Sequence, residues 1–352
     1  MNRTTWTVTA AGAAVAAMAA CSGGRKSSTG DPSQVLGPGA AYRDIRQETF
    51  TRGIDAYPAV SPDGVHFAYQ RFQDENYDIW VKLTTARNEG AGRQVTFTRE
   101  HDRRPSWLGT DRLVFDSMRV DTCKLWRQNA SGSGGATLIS RGNHPDLDAD
   151  TAQDGSIVFV SQVPEEIVTR DDQGKLWRQF REMPTIWRLT PDGSMTMLAE
   201  GISPGWSPDS EQIAFASNRQ GSFDIYIMDR DGSNLTQLTS GPATDIEACW
   251  SPDGRWIAFA TDRSVGRART RDFNIWVMRS DGSAQTQITN QEGYEGGPTW
   301  GPDQQNPQGR IFFHAHRGGD YDIWSVAPKL DESSMVPGSR GRGVTPMTIT
   351  VR

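Results

Sequence analysis

Apolar residues along this chain come in short runs broken by Pro, Asp and Gly, and the breaks return at a near-constant spacing. Val60-Ser61-Pro62-Asp63-Gly64, Trp206-Ser207-Pro208-Asp209, Trp250-Ser251-Pro252-Asp253-Gly254 and Trp300-Gly301-Pro302-Asp303 share one pattern, and Trp107-Leu108-Gly109 holds the equivalent place. The separations are about 44 to 50 residues, the size of one four-stranded unit. Trp107 to Trp206 is about twice that, so a degenerate unit is expected near Asp146, where Gln153-Asp154-Gly155 keeps the turn. After each turn the next segment aligns without a gap: Val65-His66-Phe67, Leu113-Val114-Phe115, Ile157-Val158-Phe159, Ile213-Ala214-Phe215, Ile257-Ala258-Phe259 and Ile311-Phe312-Phe313. β-Branched and aromatic residues at this density, entered from a Pro/Asp/Gly turn, form strands rather than helices. A third strand recurs as Asp78-Ile79-Trp80, Lys124-Leu125-Trp126, Thr185-Ile186-Trp187, Asp224-Ile225-Tyr226, Asn274-Ile275-Trp276 and Asp322-Ile323-Trp324. Turns at Pro191-Asp192-Gly193, Asp231-Gly232-Ser233 and Asp281-Gly282-Ser283 tolerate positive φ, and outer strands such as Thr236-Gln237-Leu238 follow them.

Six such units imply an all-β fold, a six-bladed β-propeller of four-stranded blades, which stays one domain because each repeat touches only its neighbours. Nine of the twelve tryptophans fall on the first-strand and third-strand positions, where large flat side chains pack between blades. The ring is expected to close with a strand from the N-terminal end, because Arg46-Gln47-Glu48-Thr49-Phe50-Thr51 reads like Arg93-Gln94-Val95-Thr96-Phe97-Thr98. Residues 47–51 would then be the outer strand of the last blade and would leave no long open edge; 344–351 are the competing segment.

Departures from the repeat are where chemistry would sit. Arg71, Arg119, Arg219, Arg263 and Arg317 share one position, and Asp78, Asp224 and Asp322 open third strands in the same units, which points to ion pairs between strands two and three. Gly201-Ile202-Ser203-Pro204-Gly205 fits the G-x-S-x-G pattern, but a strand and its turn follow where a nucleophile elbow needs a helix. His66, His101, His144, His314 and His316 show no metal-ligand spacing, and no cofactor motif is present. Two segments interrupt the repeat between strands two and three: 163–184 in blade three, and 264–272 with Arg267, Arg269 and Arg271 in blade five. At helical spacing Leu176, Trp177, Phe180 and Met183 would form one apolar stripe flanked by Arg178, Arg181 and Glu182, which either folds back onto its own blade or, by a composition typical of interface hot spots, meets a partner. Trp177, Arg178, Phe180, Arg267 and Arg269 are therefore the candidate partner-binding residues.

The Trp-Ser-Pro-Asp-Gly, Ile-Ala-Phe-Ala-Ser, Asp-Ile-Tyr and Asp-Gly-Ser elements resemble the repeats of the TolB-like propeller family over most of 46–326. That resemblance implies a platform for an envelope protein, such as a peptidoglycan-associated lipoprotein, in a Tol-Pal-like system. TolB proper also carries an α/β domain before its propeller, which this chain does not show. The alternative is a channel-site metal-dependent carbohydrate lyase or a polysaccharide-binding propeller.

Export is expected from the N-terminal residues. Arg3 precedes an Ala-rich apolar run too short to span a bilayer, and Met18-Ala19-Ala20-Cys21 resembles a lipobox. The expected layout is a lipoprotein signal peptide at 1–20, a flexible Gly/Ser/Pro tether at 21–41 and the propeller at 42–352, with Cys21 lipidated and the protein on the periplasmic side of a membrane, the outer one favoured. A net charge of −6 with both signs interspersed argues against a nucleic-acid surface, and a monomer is expected. Cys123 and Cys249 fall in blades two and five, too far apart across the ring to bridge. Replacing Cys21 with Ser should release the protein from membranes and abolish labelling by radioactive fatty acid; a Cys21→Ser protein that still sediments with membranes would remove the anchor.

Overall fold

A computed structural model describes residues 42–330 apart from 51–52, 87–91, 171–175, 264–271, 292 and 318–319. Cys21, Arg267 and Arg269 lie outside the described residues, as do the side chains of Trp177, Arg178 and Phe180. All regular elements described are strands, arranged as six four-stranded antiparallel sheets. Blades one to five occupy 54–94, 102–138, 146–200, 202–237 and 245–287 in simple meander order. Blade six takes Glu295–Asp303, Asn306–Arg317 and Asp320–Pro328, and its outer strand is Tyr42–Gln47 from the N-terminal end.

Each blade therefore runs up, down, up, down from the channel outward. The turns between strands one and two, and between three and four, lie at one end, here the turn end. The loops between strands two and three, and the links between blades, lie at the other, the joining end.

Core packing follows the repeat columns. Phe67, Phe115, Phe159, Phe215, Phe259 and Phe313 of the second strands are fully buried, as are Ile79, Leu125, Ile186, Ile225, Ile275 and Ile323 of the third. First-strand tryptophans pack across blade seams: Trp107 donates its indole N–H to the Ala59 carbonyl at 2.8 Å, and Trp250 reaches Gly205 at 3.2 Å, each in the preceding blade.

The closing strand is a full member of the repeat. In blade one the Val95 N–H donates to the Ile79 carbonyl, while Thr96 Oγ1 accepts the Ile79 N–H at 2.9 Å and donates to Asp78. Glu48 and Thr49 do the same for blade six, with the Glu48 N–H on the Ile323 carbonyl at 2.7 Å and Thr49 Oγ1 accepting the Ile323 N–H at 3.0 Å. The sheet ladder itself spans Tyr42–Gln47, a few residues before the expected 47–51, because Glu48 and Thr49 already leave the strand direction toward blade one.

The arginine partners differ from expectation. Arg71 lies opposite Asp78 in register, yet its guanidinium turns to Asp55 on strand one, at 2.6 and 2.7 Å. Arg119 takes Asp102, Arg263 takes Asp245 and Arg317 takes Glu295, all at the same first-strand position. Each guanidinium also covers the third-strand aromatic of its own blade: Trp80, Trp126, Trp276 or Trp324. First-strand acid and third-strand ring thus hold the arginine from two sides, a geometry the planar guanidinium suits. Blade four has Gly201 at the acidic position, and Arg219 instead lies over Tyr226 and donates to Ser217 Oγ and the Glu200 carbonyl. Blade three has Val163 in place of arginine, and Lys124 of blade two crosses the seam to Asp146 at 2.7 Å.

Insertion 163–184 is a β-ribbon, not a helical stripe. Strands Ile157–Arg170 and Leu176–Leu189 pair without a break from Ile157↔Leu189 to Arg170↔Leu176. Residues 176–183 pair as a strand throughout, so the expected helix does not form. Thr185–Leu189 is the third strand of the blade, paired to Met195–Glu200 outside it.

Arg71 and Asp55 are almost wholly buried. Replacing Arg71 with Met leaves the Asp55 carboxylate inside without its guanidinium and should cost about 3–5 kcal/mol. Arg255→Met, at the exposed pair with Asp253, should cost about 1 kcal/mol or less. Urea unfolding of both variants checks the ranking.

Candidate functional site

The six first strands present their inner edges to the channel, and each carries an irregularity at one repeat position. Pairing register shifts there in all six blades. The residue at the shift is left-handed in each: Tyr57 (φ 51°), Arg104 (49°), Asp148 (58°), Ser203 (51°), Glu247 (56°) and Gly297 (55°). A bulge of this kind re-aims one side chain, at a cost of roughly 1–3 kcal/mol for a non-glycine residue. The outcome is a ring of six positions around the channel in which the backbone repeats and the side chains do not. Ser203, the serine of the G-x-S-x-G match, is one member; its strained φ is shared by every blade, so it belongs to the propeller and not to a nucleophile elbow.

Above this ring, toward the turn end, the next positions are Pro58, Pro105, Ala149, Pro204, Ala248 and Pro298, followed by Ala59, Ser106, Asp150, Gly205, Cys249 and Thr299. The second set ties neighbouring first strands together. Asp150 accepts the Trp206 N–H at 2.8 Å and the Ser106 hydroxyl at 2.9 Å, and Thr299 Oγ1 accepts the Val60 N–H at 3.4 Å. Cys123 and Cys249 are free thiols; Cys249 is half-buried in this channel wall rather than in the core.

Between blades two, three, five and six the ring is highly polar. Arg104 meets Asp148 at 3.5 Å and lies 5.0 Å over the Tyr57 ring, while its N–H donates to Gln70 at 3.1 Å. Glu247 Oε2 accepts the Gly297 N–H at 2.7 Å and the Tyr294 hydroxyl at 3.2 Å. A side chain at Gly297 would put its Cβ 2.8 Å from His314 Nδ1, and one at Gly296 would come 2.7 Å from Glu247 Oε2, so the glycine pair makes room for the acid and the imidazole. Burial pushes the Glu247 carboxyl up, only partly offset by the Gly297 N–H and the Arg104 charge. Burial raises Asp150 in the same way against the N–H and hydroxyl it accepts.

Of the five histidines, His314 adjoins the ring. It is fully buried, 4.8 Å from the Tyr57 ring and 5.6 Å from that of Tyr294, and Nδ1 accepts the Tyr57 N–H at 3.3 Å. His316 is half-buried against Tyr321 and His101 is bonded to Asn76. Among the described residues no three His, Cys, Asp or Glu side chains gather as a metal site. The sequence pattern does not single out the bulge ring: its column holds six different residues, but so does the column two residues on.

Burial, with Arg104 nearby, lowers the His314 pKa to about 3. The unfolded chain takes up that proton near pH 6.5, so the stabilisation from neutral His314 is complete above that value and is lost as pH falls from about 6.5 toward 3. His314→Asn, which keeps an acceptor for the Tyr57 N–H, should be less stable than wild type at pH 7. The gap should narrow by about 1.4 kcal/mol per pH unit between pH 6 and 4 in urea titrations. A pH-independent gap would mean the imidazole does not titrate as its burial requires.

Residues 190–269 match the family model for the TolB beta propeller domain. The fold is similar to the putative TolB of Agrobacterium tumefaciens (TM-score 0.53, 19% identity), with 68% of this chain and 81% of that chain covered. TolB from Acinetobacter baumannii gives 0.54 at 16% identity over 79% of this chain, which spans 64% of that protein's length. A gluconolactonase from Xanthomonas campestris gives 0.52 at 17% identity, covering 82% and 91%. No curated protein matches the chain by sequence. At these identities the likeness to the solved structures is one of fold, and the gluconolactonase brings no activity with it. Six four-stranded blades make this chain a six-bladed β-propeller, with a repeat that matches the TolB beta propeller domain model over residues 190–269.

Proposed function

We propose that the propeller is a protein-binding platform of the cell envelope, held on the periplasmic side of a membrane through Cys21, and that it takes its partner on the joining end. The two exposed phenylalanines of the described residues, Phe50 and Phe97, carry this reading. Phe97 is 72% exposed and Phe50 52%, and Met118, Val120 and Val168 are also exposed. All five sit in loops or links of the joining end, in an arc from the blade six–one link through blade three. A loop in water has no need of such residues, and a run of them on one face is the mark of an interaction surface. The ribbon that holds Trp177, Arg178 and Phe180 leaves blade three at this end and extends the arc, and Arg267 and Arg269 fall between strands two and three of blade five. TolB resemblance suggests a peptidoglycan-associated lipoprotein as the partner. The alternative of a metal-dependent lyase has less support, since among the described residues no three His, Cys, Asp or Glu side chains gather as a metal site.

Partner capture from detergent-solubilised envelopes tests the surface. Phe50→Ala with Phe97→Ala should lower capture at least about tenfold with a nearly unchanged melting temperature, as expected when interface anchors are truncated. Val65→Ala with Leu83→Ala, exposed at the turn end, should leave capture intact. Loss of capture only in the second variant would place the partner at the wrong end for this reading.

A further inference from the structure

The first strands enclose a cavity of about 390 Å³ that runs along the axis from the bulge ring to the Ser-Pro turns. It lies at the turn end, away from the partner surface, and does not depend on it. Its size is at the small end of ligand pockets, which run from about 300 to 1,000 Å³. The layer of the wall next to the ring is apolar: Pro58, Pro105, Pro204 and Pro298, which have no N–H to offer, with Ala149 and Ala248; beyond it the wall is mixed, with Ser106, Asp150 and Thr299.

The floor is different. Arg104 has one carboxylate contact, 3.5 Å from Asp148, and stacks on Tyr57; these engage few of its five N–H donors. Glu247 uses Oε2 for the Gly297 N–H and the Tyr294 hydroxyl, and among the described residues Oε1 has no partner. The Tyr57 hydroxyl is buried with no hydrogen bond among the described residues. One under-used cation and two under-used carboxylates therefore border one small cavity. A lone anion would face Asp148 and Glu247 as well as Arg104, and a lone cation would face Arg104. A ligand carrying both charges on neighbouring atoms meets neither objection.

We propose that the turn-end cavity binds a small zwitterion of the α-amino acid class, its carboxylate on the Arg104 guanidinium, its ammonium on Glu247 and Asp148, and its side chain against the proline wall. Both contacts are charge-assisted, and the guanidinium fork suits a carboxylate. The Ser203 hydroxyl, in the same ring, offers a further donor or acceptor.

Titration calorimetry on the full chain tests this with glycine, L-leucine, L-lysine and L-glutamate, and with two half-ligands of leucine, isoamylamine and 4-methylpentanoate. L-Leucine should bind at least about tenfold more tightly than either half-ligand, the gain expected from a second charge-assisted contact. Glu247→Gln keeps an acceptor for Gly297 and Tyr294; it should weaken leucine and isoamylamine at least about tenfold, while 4-methylpentanoate, relieved of a like charge, should bind as tightly as before or more tightly. Arg104→Lys should act on leucine and the acid instead. Melting temperatures establish that each variant is folded, and Glu247→Gln decides the matter if Arg104→Lys is not. No heat with any of the four amino acids, isoamylamine binding as tightly as leucine, or leucine affinity untouched by Glu247→Gln would each overturn the assignment.

Discussion

A blade cannot stand alone. Each four-stranded sheet has two apolar faces and two open edges, and it buries the faces only against a blade on either side. Five blades made of consecutive strands meet this demand for all but the outermost, so stability rests on the contact that joins first to last. Here that contact is the pairing of Tyr42–Gln47 with Asp320–Pro328, extended by Glu48 and Thr49 onto the Ile323 carbonyl. Asp322 is part of the same junction: it accepts hydrogen bonds from Thr49 and Gln47 while its charge acts on Arg71 of blade one. Closure thus joins the sheet ladder, the threonine motif and the charge pattern of the seam in one place.

Charges at the other seams obey a related rule. A third-strand acid of one blade lies in the field of the next blade's Arg–acid pair, as Asp78 does with Arg119 and Asp102, and Asp224 with Arg263 and Asp245. A group of this sort that loses a member needs a substitute, since one uncompensated charge in a low-dielectric seam costs several kcal/mol; Arg219, with Gly201 where the acid would be, finds it in Ser217, the Glu200 carbonyl and the Tyr226 ring. Blade three has Val163 in place of the arginine, and the position that supplies an acid in blades one, four and six supplies Lys124 in blade two, so Asp146 keeps a cation. The degenerate blade is therefore compensated from its neighbour, and the seam between blades two and three is unlike any other in the ring.

Much of this was legible from residue order. The repeated turn, the Phe column of strand two and the Ile or Leu column of strand three specify buried alternation, and every one of those twelve residues is inside. Closure was legible because Thr49 repeats Thr96. What escaped was whatever depends on a choice between near neighbours. Arg71 has Asp55 and Asp78 on its two flanks in register, and only the orientation of the guanidinium over Trp80 selects Asp55. Leu176, Trp177, Phe180 and Met183 satisfy a helical period, but continuous pairing with residues 163–170 overrides it. The channel ring was hidden for a different reason: a left-handed residue in a strand is signalled by glycine, and only Gly297 of the six is one.

That last feature bears on how such a protein changes over generations. Because the bulge recurs in all six blades, its left-handed backbone is a property of the scaffold, and tyrosine, arginine, aspartate, serine, glutamate and glycine already share it. Substitution at these positions, Gly297 apart, leaves the strand pairing in place while altering what the channel recognises. Closely related chains can then diverge in ligand preference by drift at six sites, with no search for a new backbone.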